Sequence, residues 1–199
     1  MSTPAARGAH TIYTIGHSNH ALPVFLDLLC GHGIEVLVDV RSQPYSRYAT
    51  HFAVPPLKAA VIEAGLKYLF LGRELGGRPE GASYYDEDGR VDYAAVARSP
   101  LFRAGIDRLK TGSAGYRVAI LCSEENPTGC HRRRLVGRVL AGEGVQVLHI
   151  RGDGTLTTEE ELAAVERPAP AGDQLMLFDL QPEQEAWKSL LPVRGPRGA

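Results

Sequence analysis

Short apolar runs alternate with stretches of helical periodicity along most of this chain. Each run spans four to six residues, is rich in Val, Ile, Leu and Tyr, and shows little alternation between apolar and polar positions. Such runs are typical of strands that are buried on both faces of a parallel sheet. They predict strands at Thr11–Ile15, Glu35–Val40, Lys67–Leu71, Arg117–Leu121 and Val145–Ile150.

The segments between these strands have the spacing of helices that bury one face. The predicted helices are Leu22–Gly31, Pro56–Ala64, Tyr93–Thr111 and Arg132–Gly142, and Pro100 is a candidate break within the third. Strands that alternate with helices predict an α/β fold, a single three-layer domain with a mostly parallel, five-stranded central sheet and right-handed crossovers. The pattern leaves the strand order open.

The pattern changes after Gly154. Thr157–Val165 predicts one more helix, with Thr157 or Thr158 as its N-cap ahead of three glutamates. Residues 167–172 are rich in Pro and Ala, which is typical of a linker. We therefore expect an α/β domain over residues 1–166, a linker over 167–172 and a tail over 173–199.

Composition excludes several classes of protein. Of the 199 residues, 44% are hydrophobic and 23% are charged, which argues against collagen-like and fully disordered chains. No apolar run approaches the roughly 18 residues of a membrane span, and residues 1–10 lack the apolar core of a secretory signal. Three cysteines are too few, and odd in number, for a disulfide framework. We therefore expect a cytoplasmic protein without a membrane partner.

Charge is distributed unevenly along the chain, although the formal net charge is only −1. Residues 1–151 contain 18 Lys and Arg against 14 Asp and Glu, whereas residues 152–199 contain 4 against 9. A basic body with an acidic tail keeps nucleic acid among the candidate partners. The same composition also fits biased codon usage, so charge alone does not select a partner.

Polar side chains follow every predicted strand. Because ligands of open α/β sheets bind beyond the carboxyl ends of the strands, these side chains should converge on one crevice. The crevice would gather His, Asp, Glu, Cys and Arg, a set that suits acid–base chemistry on an anionic substrate. The sequence lacks the glycine motifs of dinucleotide-binding and Walker-type phosphate loops. The polar segments are residues 16–20, 39–51, 72–78, 122–132 and 151–153.

Cys122 is the most informative residue of these segments. It follows a predicted strand, and the next loop enters a helix near residues 128–132, whose positive end would lower the pKa of the thiol. Cys122 is thus a candidate nucleophile or ligand, although a small residue at a strand end is also ordinary core packing. Glu124 and Glu125 are better candidates for a general acid or base, because a loop charge is either solvated or used.

Two neighbouring patterns each have two interpretations. Cys122, Cys130 and His131, completed by His17 or Asp39, are candidate zinc ligands, but a seven-residue gap between the cysteines differs from common structural zinc sites. We therefore expect no cofactor, with zinc as the alternative. The glycine-bearing segment 72–77 predicts either a phosphate-binding turn or a loop whose glycines need positive φ.

The polar segments contain four longer motifs. They are Thr14–Asn19 (TIGHSN), Val38–Ser42 (VDVRS) followed by Pro44–Arg47 (PYSR), Leu71–Arg78 (LGRELGGR) and Leu121–Arg132 (LCSEENPTGCHR). Together, over about residues 11–151, they resemble the bacterial family called domain of unknown function 488. The resemblance implies no particular activity, because the family's name assigns none. The residues carried over are His17, Ser18, Asp39, Arg41, Arg47, Gly76, Gly77, Cys122, Glu124, Pro127, Cys130, His131 and Arg132.

Val38–Arg41 and the strand that leads to Cys122 also resemble rhodanese-type sulfurtransferases, in which an Asp-Val-Arg strand precedes a strand ending in the catalytic cysteine. The loop after Cys122 departs from that family, because it contains two acidic residues and a proline where a compact anion cradle is expected. Negative charge there would repel an anionic sulfur donor. Sulfur transfer is therefore an alternative function.

Gln174–Phe178 (QLMLF) is a short motif beyond the Pro/Ala linker. It resembles the Gln-Leu-x-Leu-Phe peptide by which bacterial replication and repair proteins dock on the DNA sliding clamp. Four matched residues arise by chance in about one of several hundred chains of this length. A position after a linker would let the peptide reach a partner's groove. Alternatively, the tail folds back and its apolar residues cover a patch that Trp187 and Leu190 extend.

We therefore expect an enzyme of the hydrolase or lyase type that acts on nucleic acid, in DNA repair or processing, and binds the sliding clamp. The alternatives are a small-molecule transferase that uses Cys122 and a noncatalytic DNA-associated adaptor. Tyr45, Tyr48, Tyr84 and Tyr85 are candidates for stacking on bases. The expected roles are catalysis by Glu124, Asp39, His17, Cys122 and His131; substrate binding by Arg41, Arg47, Tyr48, Arg73, Arg78 and Arg132; and clamp binding by Gln174, Leu175, Leu177 and Phe178.

Overall fold

The computed structural model describes residues 10–45, 48–166 and 187–193. Within these residues a six-stranded sheet has the order β3-β2-β4-β1-β5-β6. The first five strands along the chain are parallel, and β6 is antiparallel to β5. The expected α/β class with a mostly parallel sheet is confirmed. The strands are β1 Thr11–Gly16, β2 Val36–Asp39, β3 Lys67–Phe70, β4 Val118–Cys122, β5 Gln146–Ile150 and β6 Leu156–Thr158.

The strand β6 lies where the sequence predicts the start of the helix Thr157–Val165. A turn precedes it, in which the Arg151 N–H donates to the Thr155 carbonyl at 2.8 Å and Gly154 has a φ of 84°. The chain reverses there, so residues 157–158 pair with β5 and the helix begins only at Glu159. The predicted count of five strands was wrong at this edge, because the turn outweighs the helical pattern.

Helices cover both faces of the sheet. They are α1 Leu22–Gly31, α2 Val54–Glu63, α3 Gly72–Leu75, α4 Tyr93–Arg98, α5 Pro100–Gly115, α6 Arg138–Gly142 and α7 Glu159–Glu166. Two 3₁₀ turns lie at Thr50–Phe52 and Ala82–Tyr84, and a π-helical stretch, Arg132–Gly137, continues directly into α6. The predicted break at Pro100 is confirmed, since the Ser99 hydroxyl caps α5 by accepting from the Phe102 N–H. None of the described helices is long and apolar enough to cross a membrane.

Two apolar clusters define the three layers. On one face, α1 and α2 bury side chains such as Phe25 and Leu57 against the sheet. On the other face, α5 and the helix that starts at Arg132 bury Phe102, Leu135 and their neighbours. The edge strand β3 is only partly covered, in contrast to the central strands.

The order of the strands creates a crevice between β2 and β4. These two strands are neighbours, yet the helix that follows β2 covers one face of the sheet and the helix that follows β4 covers the other. Because the two connections diverge, they leave a gap beyond the carboxyl ends of the strands, which is where open α/β sheets bind ligands.

Residues 187–193 pack against the domain beside this crevice. The Trp187 indole N–H donates to the Arg134 carbonyl at 2.6 Å, and the Arg138 guanidinium lies over the indole ring. The Ser189 N–H donates to the carbonyl of Val91 at 3.0 Å. This part of the expected tail therefore belongs to the folded body. The linker 167–172 and the peptide with Gln174, Leu175, Leu177 and Phe178 lie outside the described residues.

Candidate active site

A cavity of about 680 Å³ opens at the crevice between β2 and β4. Its lining includes Arg41 and Arg78 together with Cys122, Glu124 and His131. The position agrees with the strand-end rule, since these residues follow different strands that end at the same edge. The C-terminal segment adds a largely apolar wall, formed by Ser189, Leu190, Leu191 and Val193.

Cys122 and His131 form a close pair on the cavity wall. The Cys122 Sγ atom lies 3.5 Å from Nδ1 of His131, and the Cys130 Sγ atom lies 3.9 Å from the same nitrogen. The His131 Nε2–H donates to the Val40 carbonyl at 3.1 Å. A carbonyl only accepts, so Nε2 carries the hydrogen and the Nδ1 lone pair of the neutral ring faces the two sulfur atoms.

The neighbouring groups shift the pKa values of Cys122 and His131 toward the charged forms. A hydrogen bond from the Cys130 thiol, together with His131 and Arg132, holds the pKa of Cys122 well below its usual value despite burial. Burial and the neighbouring Cys122 sulfur raise the pKa of Cys130. Burial lowers the pKa of His131, but the charge and hydrogen bond of Cys122, the Val40 carbonyl and Glu124 together raise it by more, so the net shift is upward. Side-chain neighbours thus lower the pKa of Cys122, in the direction that the sequence predicts from a nearby helix end.

The structure separates the two adjacent glutamates. The Glu124 side chain lines the cavity, where partial desolvation and the Cys122 sulfur raise its pKa. The Glu125 carboxylate instead accepts two hydrogen bonds from Arg151, both 2.9 Å long, and these lower its pKa. Glu124 is therefore the glutamate that is available for proton transfer.

Asp39 fixes the position of Arg41. Its Oδ1 accepts from the backbone N–H and the Nε of Arg41 at 3.1 and 2.9 Å, and its Oδ2 accepts from the Arg41 Nη2 at 2.6 Å. Oδ2 also accepts from the Tyr68 hydroxyl at 2.7 Å, and both burial and Asp39 raise the pKa of that hydroxyl. With both oxygens bound, Asp39 serves to hold a guanidinium at the cavity wall.

Arg132 lies inside the protein and not on the cavity wall. Its guanidinium is fully buried, donates to the carbonyls of Glu124 and Glu125, and contacts the Thr14 hydroxyl. These bonds shape the loop after β4. Arg133 is buried as well, where it pairs with Glu159 and Glu166 of α7.

The glycines in segment 72–77 lack positive φ angles; at these positions neighbouring atoms leave no room for a side chain. Gly76 has an ordinary φ of −68°, and Ser42 occupies the space that a side chain would need there. A Cβ atom on Gly77 would lie 2.7 Å from Cγ of His131. The expectation of positive φ was wrong, and the segment instead supports the imidazole ring.

The other predicted residues that the structure describes do not line the cavity. The His17 ring stacks on Phe52 at 4.3 Å, and burial lowers its pKa. Among the described residues, its Nε2 atom has no hydrogen-bond partner. Tyr48 is 98% exposed and Arg73 is exposed on α3, and neither lines the cavity. Arg47 lies outside the described residues.

Sequence reasoning missed several parts of the cavity. Tyr93 is almost fully buried and lines it from α4, although its sequence position indicates only a helix. The packing of Trp187 and Leu190 agrees with the fold-back alternative, but its place at the cavity was not predicted, because more than 50 residues separate this segment from the loop after β4. The Val40 carbonyl, which orients His131, leaves no signal in the sequence because any residue would supply it.

Comparison with known families gives one match. The family model described as "Domain of unknown function DUF488" matches residues 21–139. This range contains Arg41, Cys122, Glu124, Cys130 and His131, and it leaves out the motif Thr14–Asn19. No curated protein and no solved structure matches the chain.

Proposed function

We propose a function for this chain, which belongs to the DUF488 family, from the groups that its cavity brings together. The protein is an enzyme of the hydrolase or lyase type that acts on nucleic acid. Arg41 and Arg78 bind phosphate, and Glu124 transfers a proton. The observation that carries this proposal is the placement of two arginines and one glutamate on the walls of a single cavity.

The two arginines suit different steps of binding. Arg41 is held rigidly by Asp39, and a guanidinium whose geometry is already set binds an anion without further ordering. Arg78 is exposed at the rim, where it donates to Gln43 at 3.2 Å, and it can attract a negatively charged strand. Tyr45 also lines the cavity, with 74% of its surface exposed, which favours stacking on a base.

A screen of labelled single-stranded and damaged DNA tests the proposal. In the full-length protein, Glu124→Gln should lower the rate at least about 100-fold, since general acid–base catalysis contributes that much. Arg78→Ala should raise KM most strongly at low salt. Two surface variants serve as matched controls: Glu63→Gln at the end of α2 and Arg98→Ala at the end of α4, both exposed and outside the cavity lining. Equal losses in Glu124→Gln and Glu63→Gln would reject the role of Glu124.

A second candidate is a small-molecule transferase in which Cys122 is the nucleophile. The specific observation in its favour is the 3.5 Å contact between Cys122 Sγ and His131 Nδ1, with the imidazole oriented by Val40. In this case Cys122→Ala should abolish activity and Glu124→Gln should spare much of it. Mass spectrometry of protein mixed with substrate would reveal a covalent adduct on Cys122.

Clamp binding is a separate proposal that rests on the peptide Gln174–Phe178 alone. Micromolar binding to the bacterial sliding clamp at one stated salt concentration, lost in Gln174→Ala/Phe178→Ala, would support a role at replicated or repaired DNA. A noncatalytic adaptor would keep its function in Cys122→Ala and Glu124→Gln but lose it in Leu177→Ala/Phe178→Ala. Unchanged binding in the tail variants would reject this role of the peptide.

A further inference from the structure

Three atoms that can ligate a metal converge where β4 meets the π-helical stretch. Cys122 Sγ, Cys130 Sγ and His131 Nδ1 all lie within 4.8 Å of one another. The nitrogen is 3.5 Å from the first sulfur and 3.9 Å from the second. In a tetrahedral zinc site, sulfur and nitrogen ligands are about 3.6 Å apart, as follows from Zn–S and Zn–N bonds of about 2.3 and 2.1 Å. The cluster is therefore close to the spacing that one zinc ion requires.

The orientation of His131 also fits a metal ligand. Metal-binding histidines usually donate their other ring N–H to a carboxylate or a backbone carbonyl, and here Nε2 donates to Val40. This bond fixes the tautomer and leaves the Nδ1 lone pair for an ion. Gly77 lies against the ring, so the imidazole has little room to turn away from the two sulfur atoms.

Cys130 adds a third ligand atom to the thiol–imidazole pair. It is fully buried, and its Sγ atom lies 3.9 Å from the same nitrogen. Two thiolates and a neutral imidazole form a soft ligand set, which selects zinc over magnesium or calcium. Seven residues separate the two cysteines in the sequence, so their proximity is not apparent there. The loop 123–129 brings the two sulfur atoms together.

We infer that Cys122, Cys130 and His131 bind one Zn²⁺ ion whose fourth coordination position opens into the cavity. Cys122 and His131 line that cavity and Cys130 does not. Three protein ligands and one open position are typical of catalytic zinc.

The binding of zinc rests on this geometry alone, but its role rests on the proposed hydrolytic function. In that role a zinc-bound water supplies the oxygen that forms the new bond to the substrate. The bond to the leaving group breaks, and Glu124 passes a proton from the water to the leaving group.

Metal analysis of the full-length protein, purified without chelator and loaded with Zn²⁺ or Co²⁺, tests the inference. We expect about one equivalent per chain and, with Co²⁺, a thiolate-to-cobalt charge-transfer band together with the visible bands of a tetrahedral ion. Cys130→Ala should weaken metal affinity more than tenfold. The matched control is Cys30→Ala, which removes an exposed cysteine at the C-terminal end of α1. This variant should still bind about one equivalent of metal.

A second measurement needs no variant and so does not depend on how the variants fold. Zinc should protect Cys122 from iodoacetamide in the wild-type protein, and a chelator should remove the protection. Less than a tenth of an equivalent after loading, without the cobalt charge-transfer band, would overturn the inference. Because metal content is measured without substrate, full occupancy in a protein that turns over no nucleic acid would reject the proposed function and leave the zinc site standing.

Discussion

Gly77 is the residue whose replacement should disturb the site most selectively. A Cβ atom at this position would come within 2.7 Å of the His131 ring, so Gly77→Ala should displace the imidazole from the two cysteines. We expect at least a tenfold loss of zinc affinity, measured by competition with a chromogenic chelator, and a lower thermal midpoint. Gly31→Ala is the control, because no atom lies within 4 Å of its added Cβ. Similar affinity in both variants would contradict the proposed contact.

The location of a site residue was predictable where that residue lies at the end of a strand. Cys122 and Arg41 follow neighbouring strands, so their meeting at one edge follows from the parallel sheet. Partners that come from other elements were not predictable, such as Tyr68 of β3 for Asp39 and the Val40 carbonyl for His131. Asp39 is bound on both oxygens, and the sequence gives no sign of this. Glu124 and Glu125 are also equivalent in the sequence, but in the structure Glu124 lines the cavity and Glu125 binds Arg151.

At the scale of elements, α7 depends on a reciprocal cap at its first turn. The Thr158 hydroxyl accepts from the Glu161 N–H at 3.2 Å, and the Glu161 carboxylate accepts from the Thr158 N–H at 2.7 Å. Thr158→Ala should lower the free energy of unfolding by about 1 kcal/mol in urea denaturation. Thr158→Ser keeps the hydroxyl and should lose much less. An equal loss in both variants would show that the methyl group, and not the cap, matters.

The apolar strands were predictable, whereas α3 and β6 were not. The five parallel strands carry continuous apolar runs, which few other structures can bury, and their predicted bounds differ from the observed ones by at most one residue. The elements α3 and β6 span only four and three residues, so neighbouring turns and hydrogen bonds determine them. The π-helical stretch at Arg132–Gly137 has the same apolar spacing as an ordinary helix and gave no separate signal.

At the scale of the whole molecule, we expect the free energy of unfolding to depend on pH because of the protonation of His149. This ring is fully buried between the Thr14 hydroxyl, at 2.7 Å, and Glu159, at 3.1 Å, and Arg132 and Arg133 contact those two partners. Burial lowers the pKa of His149 below its ordinary value of about 6.5. As the pH falls through 6.5, the unfolded chain therefore binds a proton that the folded protein refuses, and the folded state loses stability.

Thermal unfolding between pH 8 and pH 5 measures this effect. One proton corresponds to at most about 1.4 kcal/mol per pH unit, so the free energy of unfolding should fall with that limiting slope for this group. His149→Gln should have a shallower pH dependence than the wild type. His10→Gln, at the exposed start of β1, is the matched control and should keep the wild-type slope. A steeper profile in His149→Gln would contradict the assignment.

The C-terminal wall of the cavity has a consequence for amide hydrogen exchange. Residues 187–193 are joined to the body by backbone bonds to residues 89–93, among them Val193 N–H to Gly89 at 2.8 Å and Tyr93 N–H to Trp187 at 2.8 Å, and by the contacts of Trp187 with Arg134 and Arg138. These bonds can break while the six-stranded sheet stays intact, so the segment should exchange as its own unit, well before the core strands. A substrate larger than the cavity would then need this segment to open before it could bind.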